Sequence, residues 1–200
     1  MPNNFYHIYA RGNRKSPIFF ERKDFTRFLE KLEEYRKKYQ IEIIAYCLIN
    51  NHFHILVRQK GDFSVSRFVG TLTNSHARYL SVKNRLPPGH VFQGRFGAKL
   101  IDSEESLLQV SRYIHLNPIK EKILSLDFSS KKAKKITRLS LIEKLRTYHF
   151  SSYRNYLSGQ TGLVGLDFET ILTIQKNKEL YRKFVEAKIS FDDVLALESY

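Results

Sequence analysis

The sequence predicts an α+β fold, a ferredoxin-like (RRM-like) βαββαβ antiparallel sheet with helices on one face. A further helix and a basic helical C-terminal extension follow it. Three observations carry this. Short aromatic and β-branched runs alternate with amphipathic stretches at 3–4 spacing, the two middle runs meet at an asparagine pair, and proline- or glycine-bearing breaks separate the rest.

Phe5–Ala10 is aromatic and β-rich, stops at Arg11-Gly12-Asn13, and predicts the first strand. After Pro17, the residues Phe25, Phe28, Leu29, Leu32, Tyr35 and Tyr39 mark one helical face, with acids early and bases late. Ile41–Ile49 and Phe53–Arg58 are apolar runs joined around Asn50-Asn51, a hairpin signal. Ser64 or Ser66 caps a second helix bearing Val65, Phe68, Val69, Leu72, Tyr79 and Leu80. Leu86-Pro87-Pro88-Gly89 is a loop, and a short strand follows near Gly97–Ile101. Asp102-Ser103-Glu104-Glu105 opens a third helix, expected to end or kink at Pro118. Beyond it, residues 120–158 are basic with a helix near Leu139–Tyr148, and residues 167–200 hold one or two short helices.

The 200 residues have 42% apolar content, that of an ordinary globular protein, and a formal charge of +14, which favours a polyanionic partner and narrows the partner class no further. The excess is uneven: Lys120–Ser158 holds ten Lys/Arg against three Asp/Glu, whereas Gln160–Tyr200 holds five against seven. No apolar run nears the roughly 18 residues of a membrane span, and Met1-Pro2-Asn3-Asn4 lacks the pattern of a signal peptide. A single cysteine, Cys47, excludes an internal disulfide and fits core packing in a reducing cytoplasm. There is no Gly-x-Ser-x-Gly, no His-Glu-x-x-His, and no basic neighbour to activate Cys47, so serine hydrolase, zinc protease and thiol chemistries find no support.

Two constellations carry chemistry. In Asn51-His52-Phe53-His54, strand alternation places His52 and His54 on one side, about 6.5–7 Å apart at Cα, with Phe53 toward the core. That suits convergence on a divalent ion, although an isolated His-x-His is more often a solvated pair. In the third helix Tyr113 and Asn117 stand at i and i+4, one above the other. Leu107, Leu108, Val110 and Ile114 already supply an apolar stripe, so the cluster of Arg112, Tyr113, His115 and Asn117 is more polar than packing requires. His115 is two positions from Tyr113 and faces elsewhere. His7, His76, His90 and His149 are read as structural.

Taken in order, Tyr6-His7-Ile8 with Arg11-Gly12, Asn51-His52-Phe53-His54, Phe92-Gln93-Gly94-Arg95-Phe96 and Arg112–Pro118 resemble the single-tyrosine HUH transposases. With Phe150-Ser151-Ser152-Tyr153 and Tyr181–Val185 added, the REP-associated tyrosine transposase branch is the nearest. Phe150 stands where that branch carries tryptophan, and the Ser129–Tyr148 stretch is longer and richer in lysine. The resemblance spans roughly Phe5 to Ile189. It implies a nuclease domain over residues 1–120 with residues 121–200 packed on or beside it. It makes Tyr113 the nucleophile and His52, His54 and Asn117 the ligands of Mg²⁺ or Mn²⁺. It makes single-stranded or hairpin DNA the partner, with a homodimer or a monomer both open and a bacterial cytoplasmic, nucleoid-associated setting. Arg11, Arg95, Lys99 and Arg112 adjoin these motifs and are the candidate DNA contacts. The run Lys131, Lys132, Lys134 and Lys135 is as readily a solvated loop as a clamp. Tyr153 and Tyr156 are candidates for stacking on bases, or for the core. Two rivals stay open: a module that holds hairpin DNA or RNA without cutting it, and a phosphoesterase in which the histidines activate water.

Overall fold

The computed structural model describes residues 3–62, 64–85, 91–124, 137–187 and 189. The predicted 86–89 loop, His90 and the Lys131–Lys135 run lie outside the described residues. Strands β1 (Phe5–Arg11), β2 (Ile41–Ile49), β3 (His52–Gln59) and β4 (Gly97–Ile101) form one antiparallel sheet in the order β2-β3-β1-β4. Helices α1 (Arg22–Lys38) and α2 (Val65–Asn84) complete the βαββαβ unit, and α3 (Glu104–Leu124) follows it. This is the ferredoxin-like arrangement the sequence predicts.

Local chemistry sets the element ends. Glu21 and Asp24 form a capping box at α1, and the buried Asp24 carboxylate accepts from the backbone N–H groups of Phe20 and Glu21. Ser64 caps α2 by accepting from Arg67 N–H, and Ser103 accepts from Ser106 N–H at the start of α3. The two residues Asn50 and Asn51 join β2 to β3, as the hairpin signal indicates.

The sheet is covered on both faces. Ile8, Phe53, Ile55 and Val57 point toward α1 and α2, where Phe28, Leu32, Phe68 and Leu72 close a first core. Ala45, Cys47, Leu56 and Ile101 point the other way, into a second core with Val110, Ile114 and Ile119 of α3. A bulge between Ile43 and Ala45 adds one residue to β2. Because side chains alternate strictly, that extra residue resets the phase, so Cys47 pairs with His54 and Ile49 with His52 on the α3 face.

Helix α3 does not stop at Pro118; it runs on to Leu124. A proline inside a helix forfeits one backbone hydrogen bond and costs about 3 kcal/mol. Ile119 and Ile123, both fully buried beyond the proline, offset this by apolar burial of a similar size. Helices α4 (Arg138–Thr147), α5 (Tyr153–Ser158), α6 (Glu169–Ile174) and α7 (Lys178–Ala187) pack onto the second core through Leu145, Tyr156, Ile171 and Val185. The Phe150–Tyr153 motif lines the β2 edge: Leu48 N–H donates to Phe150 O, Ser152 N–H donates to Tyr46 O, and Cys47 bridges Ser151. A sheet edge closed in this way has no free ladder to offer another chain there. Tyr153 and Tyr156 are buried, their hydroxyls donating to Glu186 and to Ile44 O, so neither is open for stacking.

Among the described residues no helix is long and apolar enough to cross a membrane.

Candidate active site

Alternation on β3 turns His52 and His54 toward α3, and antiparallel pairing sets Arg11 opposite His52 and Tyr9 opposite His54. Tyr113 and Asn117, one helical turn apart, face them from α3. Together with Arg95, Lys120 and Glu121 these side chains line a cleft of about 560 Å³.

The hydrogen bonds fix the orientation of each polar group. Asn51 Nδ2 donates to Lys15 O at 3.3 Å, which turns Asn51 Oδ1 toward His52 Nδ1 at 2.6 Å. The shorter contact takes the imidazole hydrogen, so Nδ1–H donates to Asn51 and Nε2 keeps a bare lone pair. Asn117 Nδ2 donates to Tyr113 O at 3.0 Å, which directs Asn117 Oδ1 at His52 Nε2, 3.4 Å away. Two lone pairs therefore face each other inside the protein. A cation between them would convert that repulsion into coordination by one nitrogen and one oxygen.

His54 is held from behind. Its Nδ1 lies 2.9 Å from His7 Nε2, and the two rings stack. For His54 to offer Nε2 to an ion, its Nδ1–H must donate to His7. Burial pushes the pKa of His52 down, opposed by Glu121 and Asn117. Burial, then the neighbouring His7 and His52, holds that of His54 well down. Both imidazoles are neutral at pH 7, the form that binds a metal. Among the described residues no three His, Cys, Asp or Glu side chains are grouped to hold an ion, and the Asn117 amide oxygen is the further donor that faces His52. The donor set present fits a mixed N/O divalent site.

Tyr113 is 4% exposed, and its ring meets His54 edge-on at 5.2 Å and His7 at 5.9 Å. Lys120 Nζ stands 5.3 Å from the ring centroid. Arg11 and Arg95 are exposed at the cleft rim. The cleft thus gathers the hydroxyls of Tyr9 and Tyr113, two neutral imidazoles, the Asn117 amide, three cations and the Glu121 carboxylate.

Six of the eight residues singled out in the sequence meet here: His52, His54, Tyr113, Asn117, Arg11 and Arg95. Two do not. Arg112, one position from Tyr113 and so about 100° round the helix, lies 4.4 Å from the Phe184 ring and donates to Gln109 Oε1. Lys99 pairs with His7 on β4 and is exposed on the α3 face, outside the cleft lining. His115 points away, as its offset implies, between Ser152 and Tyr181. His76 is likewise internal, donating to Ile18 O at 2.7 Å.

Sequence reasoning passed over His7, Lys120 and Glu121. The signal for His7 was its phase, shared with Tyr9 and Arg11 on the first strand. Lys120 follows Tyr113 by seven residues and Glu121 follows Asn117 by four, so both sit on the same helix face. Ending the helix at Pro118 hid them.

The fold is similar to a solved structure of a REP-associated tyrosine transposase bound to a REP hairpin, at 15% identity and a TM-score of 0.56, covering 83% of this chain and 87% of that one. A search of curated proteins found no match. Residues 2–117 match the model of the family described as "Transposase IS200 like", and the chain belongs to that family.

Proposed function

We propose that the protein cuts single-stranded DNA beside hairpins and rejoins strands through a covalent bond to Tyr113. The observation that carries this reading is the single cleft in which the Tyr113 ring abuts His54 while the backbone carbonyl of Tyr113 orients Asn117 toward His52. The REP hairpin bound to the similar transposase points to hairpin DNA as this chain's partner too.

In the proposed reaction the Tyr113 oxygen attacks a backbone phosphorus in line. The Oη–P bond forms, the P–O3′ bond breaks, the phenol gives up its proton and the departing 3′ oxygen gains one. The product is a 5′-phosphotyrosine with a free 3′-hydroxyl on the other strand end. Because that linkage keeps a phosphodiester's energy, a second 3′-hydroxyl reverses the step and joins new ends. Mg²⁺ or Mn²⁺ held by His52, His54 and Asn117 would polarise the phosphate's non-bridging oxygens. Arg11, Arg95 and Lys120 bind the phosphates and bring them to the tyrosine, which raises the effective concentration of a poor nucleophile. His7 and Asn51 keep both imidazoles in the tautomer that coordinates.

Incubating wild type and Tyr113→Phe with end-labelled hairpin DNA and Mn²⁺ tests this. An adduct that survives SDS is expected from wild type, with at least a 10³-fold loss in the variant. DNA binding without any adduct would replace the reading with a non-cutting module, and cleavage that survives Tyr113→Phe would replace it with hydrolysis by water.

A further inference from the structure

We propose that Tyr9 is the stacking platform for an unpaired nucleobase adjoining the phosphate at Tyr113, a reading that rests on the proposed function. Three Phe or Tyr rings line the cleft among the described residues. Phe53 is fully buried and Tyr113 nearly so, whereas Tyr9 is 41% exposed. The Tyr9 ring packs beside that of His7, centroids 5.3 Å apart, yet stays the most open of the three.

The strand opposite explains how the ring is held. Tyr9 pairs with Gly97 on β4, and a Cβ on Gly97 would collide with Cζ and Cε2 of the Tyr9 ring. The ring therefore lies across the glycine backbone, one face on β4 and the other toward the cleft. Gly97 is the residue that permits this, since any side chain would lift the ring away. The Tyr9 ring stands 6.1 Å from that of His54, which in turn meets Tyr113 at 5.2 Å. Tyr9 and Tyr113 thus flank the same histidine, and a base lying on Tyr9 belongs to the nucleotide next to the phosphate under attack. Arg11 and Arg95 line the same cleft and offer cations to the neighbouring phosphates. Stacking on an aromatic face is tolerant of base identity, and removing such a ring weakens binding by roughly tenfold or more. Tyr9 is on this account a positioning residue.

The chain contains no tryptophan, so Tyr9→Trp introduces a lone indole reporter. Its emission is followed as a fluorescein-labelled hairpin with a single-stranded flank is added, while anisotropy reports binding separately. Leu163→Trp, exposed on a loop outside the cleft lining, is the control. The expected results are quenching of Tyr9→Trp with the midpoint of the anisotropy curve and none of the control. Tyr9→Phe should bind as wild type, and Tyr9→Leu roughly tenfold more weakly at an unchanged melting temperature. Unquenched emission at saturation, quenching matched by the control, or wild-type affinity in Tyr9→Leu would overturn the proposal. Quenching with no covalent adduct from wild type would refute the cutting reaction and leave the platform standing.

Discussion

His7 and Asn51 touch the candidate ligands rather than any substrate, yet they decide which imidazole nitrogen is bare. A buried histidine that lost its partner would rotate or change tautomer, and such outer partners are typically worth 10- to 100-fold in metal affinity. His7→Phe is expected to weaken Mn²⁺ binding by that factor, read by titration followed by electron paramagnetic resonance; unchanged affinity would show that His54 needs no backing. Asn117→Ala should lower Mn²⁺ affinity as well, because His52 would then face the ion without the amide oxygen. At this scale the sequence was informative where spacing alone sets direction. His52 with His54 on a strand and Tyr113 with Asn117 on a helix were legible from periods of 2 and 3.6. His7 was not, since what brings it to the candidate site is a 2.9 Å approach to a residue 47 positions away.

Helix α3 is the element that couples chemistry to packing. One face carries Tyr113, Asn117 and Lys120 into the cleft, and another buries Leu107, Val110, Ile114, Ile119 and Ile123 in the second core. Its last turns exist because Ile119 and Ile123 are buried, which overrides the proline. Ile123→Ala should therefore cost about 2–4 kcal/mol by urea denaturation, as deletion of a packed aliphatic side chain does; a cost near zero would mean the post-proline turns are not packed. The strands and the first two helices were readable because each shows its own periodicity and end signals. The proline contradicted the tertiary outcome, and a local rule had no access to the second core that outweighs it. The bulge at Ile43 and Ala45 was equally invisible, since an unbroken apolar run gives no cue to where the phase is reset.

The described residues pack helices on both faces of the sheet, and burial lowers the pKa of His52, His54, His76 and His115. Burial takes His76 down to about 4 and His115 to about 3. An unfolded histidine titrates near 6.5, so below that pH the unfolded chain binds protons that the folded one refuses. The contribution of these two histidines is thus fully present above pH 6.5, falls as pH drops toward 4, and levels off once the folded histidines protonate. The loss is roughly 2 kcal/mol per histidine by pH 5, and His76→Gln should flatten the curve of urea midpoint against pH. DNA affinity should fall steeply with salt. Replacing Arg11 and Arg95 by glutamine should lessen the slope of log K against log salt by about 1.4, near 0.7 for each single-strand phosphate left without its cation. The charge and the family motifs pointed to the proposed nucleic-acid partner from the sequence, but the sheet's geometry was needed to show which cations reach the cleft. The most direct test is mass spectrometry of the SDS-stable complex after nuclease and protease digestion. A nucleotide joined by its 5′ phosphate to the peptide at Tyr113 is the predicted result, and a nucleotide on any other residue, or on none, contradicts the account.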